Sequence, residues 1–258
     1  MNFRIRCLFQ ISAVVALLLA ASLATAEQRK PGVVSGAGDV APLIEEYRKL
    51  LGEPNNAGNP GPLTSGRREI NWDGVPDDKA APAFLPGDFF RNRGAILKTP
   101  GRGVQVSAKA GNPTKTAPRF AHINPTYEKI FKAYSGERLF SPIGSNVVNL
   151  TFVIPGTNTP AVVRGFGAVY VDTDLPHTSF QYFDRNGRSL GKFPVPVENE
   201  GFSFLGVVFD EPVVARVRIE YGTTALGPND NPRRRLDVSV MDDFIYGEPQ
   251  PMPSRAKK

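Results

Sequence analysis

The chain has 258 residues, 22% of them charged, with a formal net charge of +6 and one cysteine, Cys7. Everything after Cys7 lacks a thiol, which excludes a disulfide framework, a thiolate nucleophile and a cysteine-bound metal there. The length is enough for one domain with a sizeable core that needs no such staples.

The first residues read as an export signal. Arg4 and Arg6 supply a positive start, Ile11 to Leu23 is almost unbroken apolar sequence, and Ala24-Thr25-Ala26 offers small residues for cleavage before Glu27. The apolar run falls short of the ~20 residues that a membrane helix needs. The expectation is a secreted or periplasmic product, processed after residues 1–26, with no membrane span in the mature chain.

Residues 27–65 form a Gly/Pro-rich lead with one helix. Asp39 is placed to cap it, Pro42 suits its first turn, and Glu45 and Glu46 suit its positive end. Leu43, Ile44, Tyr47, Leu50 and Leu51 recur at helical spacing, and Gly52 stops the run. Glu53 to Ser65 reads as a linker without regular structure, across which few contacts pass, so the lead is expected to be dispensable for the domain that follows.

From Gly66 to Glu248 the pattern is β. Ala215 to Tyr221 alternates apolar residues with Arg216, Arg218 and Glu220, as a strand with one wet face does. Thr178 to Asp184 and Ser189 to Val195 flank Asn186-Gly187, the dipeptide of a type I′ hairpin turn. Val147 to Ile154, Val163 to Asp172, Phe202 to Asp210 and Leu236 to Met241 add further strands, and Tyr127 to Tyr134 is a short helix or turn. Strands with no long helix between them imply antiparallel pairing, so the fold class is all-β: an antiparallel jelly-roll β-sandwich with a short N-terminal helical lead. Residues 249–258 read as a disordered basic tail. The charge runs at Arg233-Arg234-Arg235 and Arg255 to Lys258 read as a solvated loop and terminus, so no nucleic acid is expected as partner, while an acidic surface polymer stays open.

Two segments carry a family resemblance. One is Gly66-Arg67-Arg68-Glu69-Ile70-Asn71-Trp72-Asp73-Gly74-Val75-Pro76-Asp77; the other runs from Val163-Arg164-Gly165-Phe166-Gly167-Ala168-Val169 through Phe204-Leu205-Gly206-Val207-Val208-Phe209 to Met241-Asp242-Asp243-Phe244. They resemble secreted bacterial proteins with a galactose-binding-like jelly roll, related to exported proteins that carry a PEP-CTERM sorting tail. The chain departs from such tails: Glu248-Pro249-Gln250-Pro251 leads to Arg255-Ala256-Lys257-Lys258 with no apolar span.

The resemblance implies a site. Jelly-roll carbohydrate-binding modules end on a similar Asp-Asp-apolar strand whose carboxylate joins first-strand oxygens around a structural calcium. Here the ligands would be Asp242 and Asp243, with Asp73 or Glu69 from the first strand; calcium takes six to eight hard oxygens. The competing reading is that these aspartates cap turns or pair with Arg67 or Arg68. In a regular strand consecutive side chains face opposite ways, so one of the pair is expected to point inward.

Trp72, Phe90 and Tyr182 are the candidate sugar platforms, each with an opposing reading as core. Phe89-Phe90 and Tyr182-Phe183 each place aromatics on both faces of a segment. Asp172 and Asp174 read as turn formers. The histidines, His122 and His177, lie in loops, and Glu198, Glu200 and Glu220 read as loop or outer-face residues. There is no Gly-x-Ser-x-Gly elbow, His-Glu-x-x-His helix, P-loop or dinucleotide fingerprint. The leading functional reading is a secreted, non-catalytic binding protein with a glycan or other envelope polymer as partner. The alternatives are a structural or adhesive envelope protein and a polysaccharide hydrolase or lyase.

Overall fold

A computed structural model describes residues 30–252, so the segment read as an export signal, residues 1–26, and the last basic residues lie outside the described residues. The strands are β1 (Gly32–Ala37), β2 (Arg67–Ile70), β3 (Ala95–Lys98), β4 (Gly103–Val106), β5 (Phe140–Ile143), β6 (Val147–Phe152) and β7 (Ala161–Val162). They continue with β8 (Gly165–Thr173), β9 (Ser179–Phe183), β10 (Ser189–Pro194), β11 (Glu198–Val208), β12 (Arg216–Glu220), β13 (Val240–Gly247) and β14 (Gln250–Pro251). The helices are α1 (Ala41–Leu51) and the single turn α2 (Tyr127–Ile130).

Two sheets account for most strands. One has seven strands in the order β1-β11-β8-β13-β5-β4 with β2 also on β13; the other runs β10-β9-β12-β6-β3. All pairings between these strands are antiparallel, as expected for strands without helical crossovers. The sheets pack face to face. Phe166, Tyr170 and Phe244 of the larger sheet meet Phe180, Tyr182 and Ile219 of the smaller in one core, with Phe166 and Phe180 ring centroids 5.0 Å apart. Among the described residues no helix is long and apolar enough to cross a membrane, a statement that leaves β-barrels aside.

The two sheets differ in what covers their outer faces. On the seven-stranded sheet, Ile44, Tyr47 and Leu51 of α1 pack on Val169, Phe204, Val208 and Ile245. Beside them Phe120, Tyr127, Phe131 and Leu139 of the long β4–β5 connection pack on Val171 and Val240. β8 is consequently buried at every position, which explains its apolar run from Gly165 to Val171. The five-stranded sheet keeps the alternation that marks one wet face, as β12 shows.

The lead packs into this architecture, with more contacts to the sheets than the Gly/Pro-rich pattern of residues 27–65 led one to expect. β1, which the sequence pattern does not announce, is an edge strand hydrogen-bonded along β11 from Gly32↔Val208 to Ala37↔Ser203. The Tyr47 hydroxyl donates to the Val207 carbonyl at 3.0 Å. Its ring lies so close to the sheet that a Cβ at Gly206 would sit 2.6 Å, and at Gly167 2.7 Å, from ring carbons. Two glycines of the family-like motifs therefore clear the seat for a helix that the motifs themselves do not include. The Glu53–Ser65 segment is also pinned. Arg68, fully buried, donates to the carbonyls of Ala57 and Asn59 and bonds both oxygens of Glu248 at 2.7 and 2.8 Å.

Three smaller differences have local causes. The hairpin at Asn186-Gly187 is not type I′: Gly187 has φ +77° and Asn186 is not in the left-handed region. Gly187 N–H donates to Asp184 O and Asp184 N–H to Arg188 O, the pattern of a type I turn followed by a left-handed glycine. Residues 250–251, expected in a disordered tail, form β14 and pair with Val162 and Ala161 of β7. Finally, the Asp242-Asp243 pair stands at a shift in register, since Met241 opposes Tyr170 while Phe244 opposes Ala168. Two residues face one, which is a β-bulge, and the strict alternation of side chains lapses there.

Candidate functional site

The candidate platforms are core residues. Trp72 is fully buried in a 3₁₀ turn, stacked on Phe140 with ring centroids 4.2 Å apart, and its Nε1–H donates to the Asp242 carbonyl at 2.9 Å. Tyr182 is fully buried with its hydroxyl donating to Phe166 O at 2.8 Å. Phe90 is buried edge-on against Trp72. Large aromatics remove the most apolar surface from water, so a chain with one tryptophan places it inside. None of the three offers a face to a ligand. The outward aromatic of its pair is Phe183, not Tyr182.

The bulge brings Asp242 and Asp243 to the same side, where they hold a loop. Asp242 Oδ2 accepts from the N–H groups of Tyr134 at 2.7 Å and Ser135 at 3.2 Å, while Oδ1 accepts from Asp243 N–H at 2.9 Å. Ser135 Oγ lies 3.1 Å from Asp242 Oδ1 and 2.9 Å from Asp243 Oδ1. Asp73 accepts from the next part of this loop, Glu137 N–H, at 2.7 Å. Burial, reinforced by the charge of Asp243, pushes Asp242 up to about 8, and burial raises Asp243 as well. A carboxylate has about four lone-pair positions, and those of Asp242 are taken by donors, so this trio does not fit the expected calcium. Glu69, the other first-strand candidate, lies between Arg48 and Arg67, accepting from Arg48 Nη2 at 2.7 Å and Arg67 Nε at 2.7 Å. The turn-capping and arginine-pairing readings describe these four residues. Among the described residues, no group of three or more histidine, cysteine, aspartate or glutamate side chains stands where it could hold a metal ion.

The surface that stays open is the outer face of the five-stranded sheet. Strand register places its side chains in rows, because directly paired residues point the same way. One row runs Lys98, Asn149, Arg218, Gln181, Lys192 across all five strands. The next runs Ile96, Thr151, Arg216, Phe183. The Arg216 guanidinium lies 3.6 Å from the centre of the Phe183 ring and donates to Asn149 Oδ1 at 2.9 Å. Burial and the like charge of Arg218 lower the pKa of Arg216. Glu220 answers Arg218 at 3.2 Å and Lys192 at 2.5 Å, so its charge is already shared between two cations. Open grooves of about 400 and 530 Å³ flank Thr151. The first is walled by Arg216, Asp184 and Met252, the second by Lys98, Ile96 and Arg91.

The alternation Arg216-x-Arg218-x-Glu220 was visible as a wet face, but not its alignment with Lys98, Asn149 and Phe183. That alignment rests on pairings between strands far apart along the chain, Arg216 with Phe183 and Arg218 with Asn149, for which local periodicity carries no signal.

The chain matches no family model and no curated protein. A solved structure similar to part of it is the enzymatically active domain of bacteriophage CBA120 tailspike protein 4. That likeness covers 68% of this chain and 21% of that one, at 14% identity and a TM-score of 0.24. The chain thus spans about a fifth of that protein's length, and so distant a likeness carries no argument about activity.

Proposed function

We propose that this is an exported, non-catalytic binding protein that holds a glycan at or outside the cell envelope on the open face of its five-stranded sheet. The observation that carries this reading is the row Lys98, Asn149, Arg218, Gln181, Lys192 beside the Arg216–Phe183 stack. It is a hydrogen-bonding, cation-rich surface on the sheet whose outer side the described residues leave uncovered. Amide and guanidinium groups at strand spacing suit the hydroxyl rim of a sugar chain. The surplus of cations favours one bearing carboxylates or sulfates, because guanidinium–oxyanion hydrogen bonds are about twice as strong as neutral ones. A rigid sheet loses little conformational freedom on binding.

Binding of the purified chain to acidic and neutral polysaccharides tests this. Arg216→Ala and Arg218→Ala should each weaken binding to an acidic polysaccharide about tenfold, one charged hydrogen bond being worth ~1.5–3 kcal/mol. Their melting temperatures should stay near that of the parent, since both side chains are partly exposed. Binding that both variants leave unchanged would remove the face from consideration. No binding to any polysaccharide would end the glycan reading.

A further inference from the structure

A cavity of about 270 Å³ lies where four distant parts of the chain meet: the end of α1, the approach to β2, the entry to β8 and the residues after β13. It shares no wall with the grooves beside Thr151 on the five-stranded sheet. Its one basic side chain is Arg164. The Arg164 carbonyl accepts from Phe209 N–H at 2.7 Å, which fixes the backbone there to the end of β11. A Cβ on Gly247 would lie 2.9 Å from Arg164 Cγ, so a glycine at the end of β13 gives the arginine stem room to pass.

The arginines around this cavity are matched with carboxylates, with one exception. Arg48 and Arg67 share Glu69, and Arg68 holds Glu248. Glu248 lines the cavity, yet its oxygens are occupied. Oε1 accepts from Arg68 Nη2 at 2.8 Å and Leu63 N–H at 3.1 Å, and Oε2 from Arg68 Nε at 2.7 Å and Asn56 Nδ2 at 2.9 Å. Its charge is answered by Arg68, and its four lone-pair positions are taken. Arg164 has no carboxylate among the described residues. Its side chain makes one hydrogen bond, from Nε to the Phe209 carbonyl at 3.4 Å, which is longer than a strong one. Nη1 and Nη2 are left as donors without an acceptor.

We propose that this cavity binds a small hydroxylated carboxylate, a sugar acid by chemical class, with Arg164 as the partner of the carboxylate. Two free terminal nitrogens on one guanidinium match the two oxygens of a carboxylate. Thr64 and Ser65, both exposed, bring hydroxyls that donate and accept. Gln250, fixed by its Nε2 donating to Leu63 O at 2.7 Å, adds its Oε1 as an acceptor. Leu51 supplies an apolar patch for the C–H face of a ring. The volume lies just under the ~300 Å³ at which pockets for drug-sized ligands begin, which is room for one ring. Charge selects a monoanion: Arg164 contributes a single positive charge, and Leu51 ends α1, so the negative end of the helix dipole opposes a second anionic charge. The ligand of this cavity is independent of what the open sheet face holds.

Calorimetric titration of the full chain with glucuronate, galacturonate, glucose, acetate and inorganic phosphate tests this. At least one of the two sugar acids should bind, and glucose, acetate and phosphate should each bind at least tenfold more weakly. An oligosaccharide ending in the same sugar acid separates the two sources of this chemistry, the tighter of the free and terminal forms being the ligand. Arg164→Gln should weaken binding at least tenfold and Arg164→Lys by less, because lysine keeps the charge and loses the fork. The pair Thr64→Ala and Ser65→Ala should weaken it about threefold or more, and Arg216→Ala on the sheet face should leave it unchanged. If Arg164→Gln does not fold, the exposed hydroxyl pair decides. The proposal is overturned if neither sugar acid binds, or if acetate or phosphate binds as tightly, which marks a plain anion site. It is equally overturned if binding survives both Arg164→Gln and the hydroxyl pair, or is lost in Arg216→Ala.

Discussion

Asp242 and Asp172 are both buried carboxyls on neighbouring strands of one sheet, and both are pushed up to about 8 by burial. Their surroundings nevertheless differ. Asp242 accepts from three backbone N–H groups and has Asp243 beside it to share a proton. Asp172 accepts from one, and its second oxygen has no hydrogen-bond partner. Burial alone therefore does not say how a carboxyl is held; the count of donors does. A satisfied carboxyl organises its loop, whereas one with a partnerless oxygen depends on keeping its proton.

The comparison is most exposed to failure at Asp242. Asp242→Ala should cost roughly 2–4 kcal/mol in urea denaturation, because it leaves the partly buried N–H groups of Tyr134 and Ser135 without their acceptor and removes the partner of Asp243. A loss below ~1 kcal/mol would mean that the loop does not depend on this clamp. Next comes pH. Asp172, Asp230, Asp237 and Asp242 all have folded-state values above those of an unfolded aspartate, about 3.9. The folded chain then binds more protons, so the stability they contribute is full below pH ~4 and is lost as pH rises through about 6 to 8. The protein should melt progressively lower from pH 5 to pH 9. A melting temperature that is level over this range would contradict both halves of the comparison.

The smallest effect sharpens the contrast. At pH 8, Asp172→Asn should stabilise the chain by about 1 kcal/mol, since it removes one of several crowded like charges and adds an N–H donor where an oxygen has no partner. Asp243→Asn at the satisfied pair should give no such gain. Equal responses at the two positions, read from parallel urea titrations, would erase the distinction.

What the sequence determined by itself rests on local pattern. The alternation in Arg216 to Glu220 and the turn residues at 186–187 led to an antiparallel sandwich, and helical spacing from Leu43 to Leu51 led to α1. Each depends on which side of a strand or helix is apolar, a property written within ten residues. The tertiary structure decided everything that needs two distant segments to meet. Tyr47 reads as one apolar helix position among several, yet its place against Gly167 and Gly206 ties the lead to the larger sheet. Asp242 and Asp243 read as alternating strand residues until a bulge turns both toward one loop. Asp172 and Asp174 read as turn formers, because nothing in that stretch reveals that Asp237 arrives to accept from Leu175 N–H. Hydrophobic periodicity is a one-dimensional signal, while register, bulges and cavities between distant segments arise only when strands pair and pack. The open sheet face and the cavity at Arg164 were accordingly beyond the reach of local pattern.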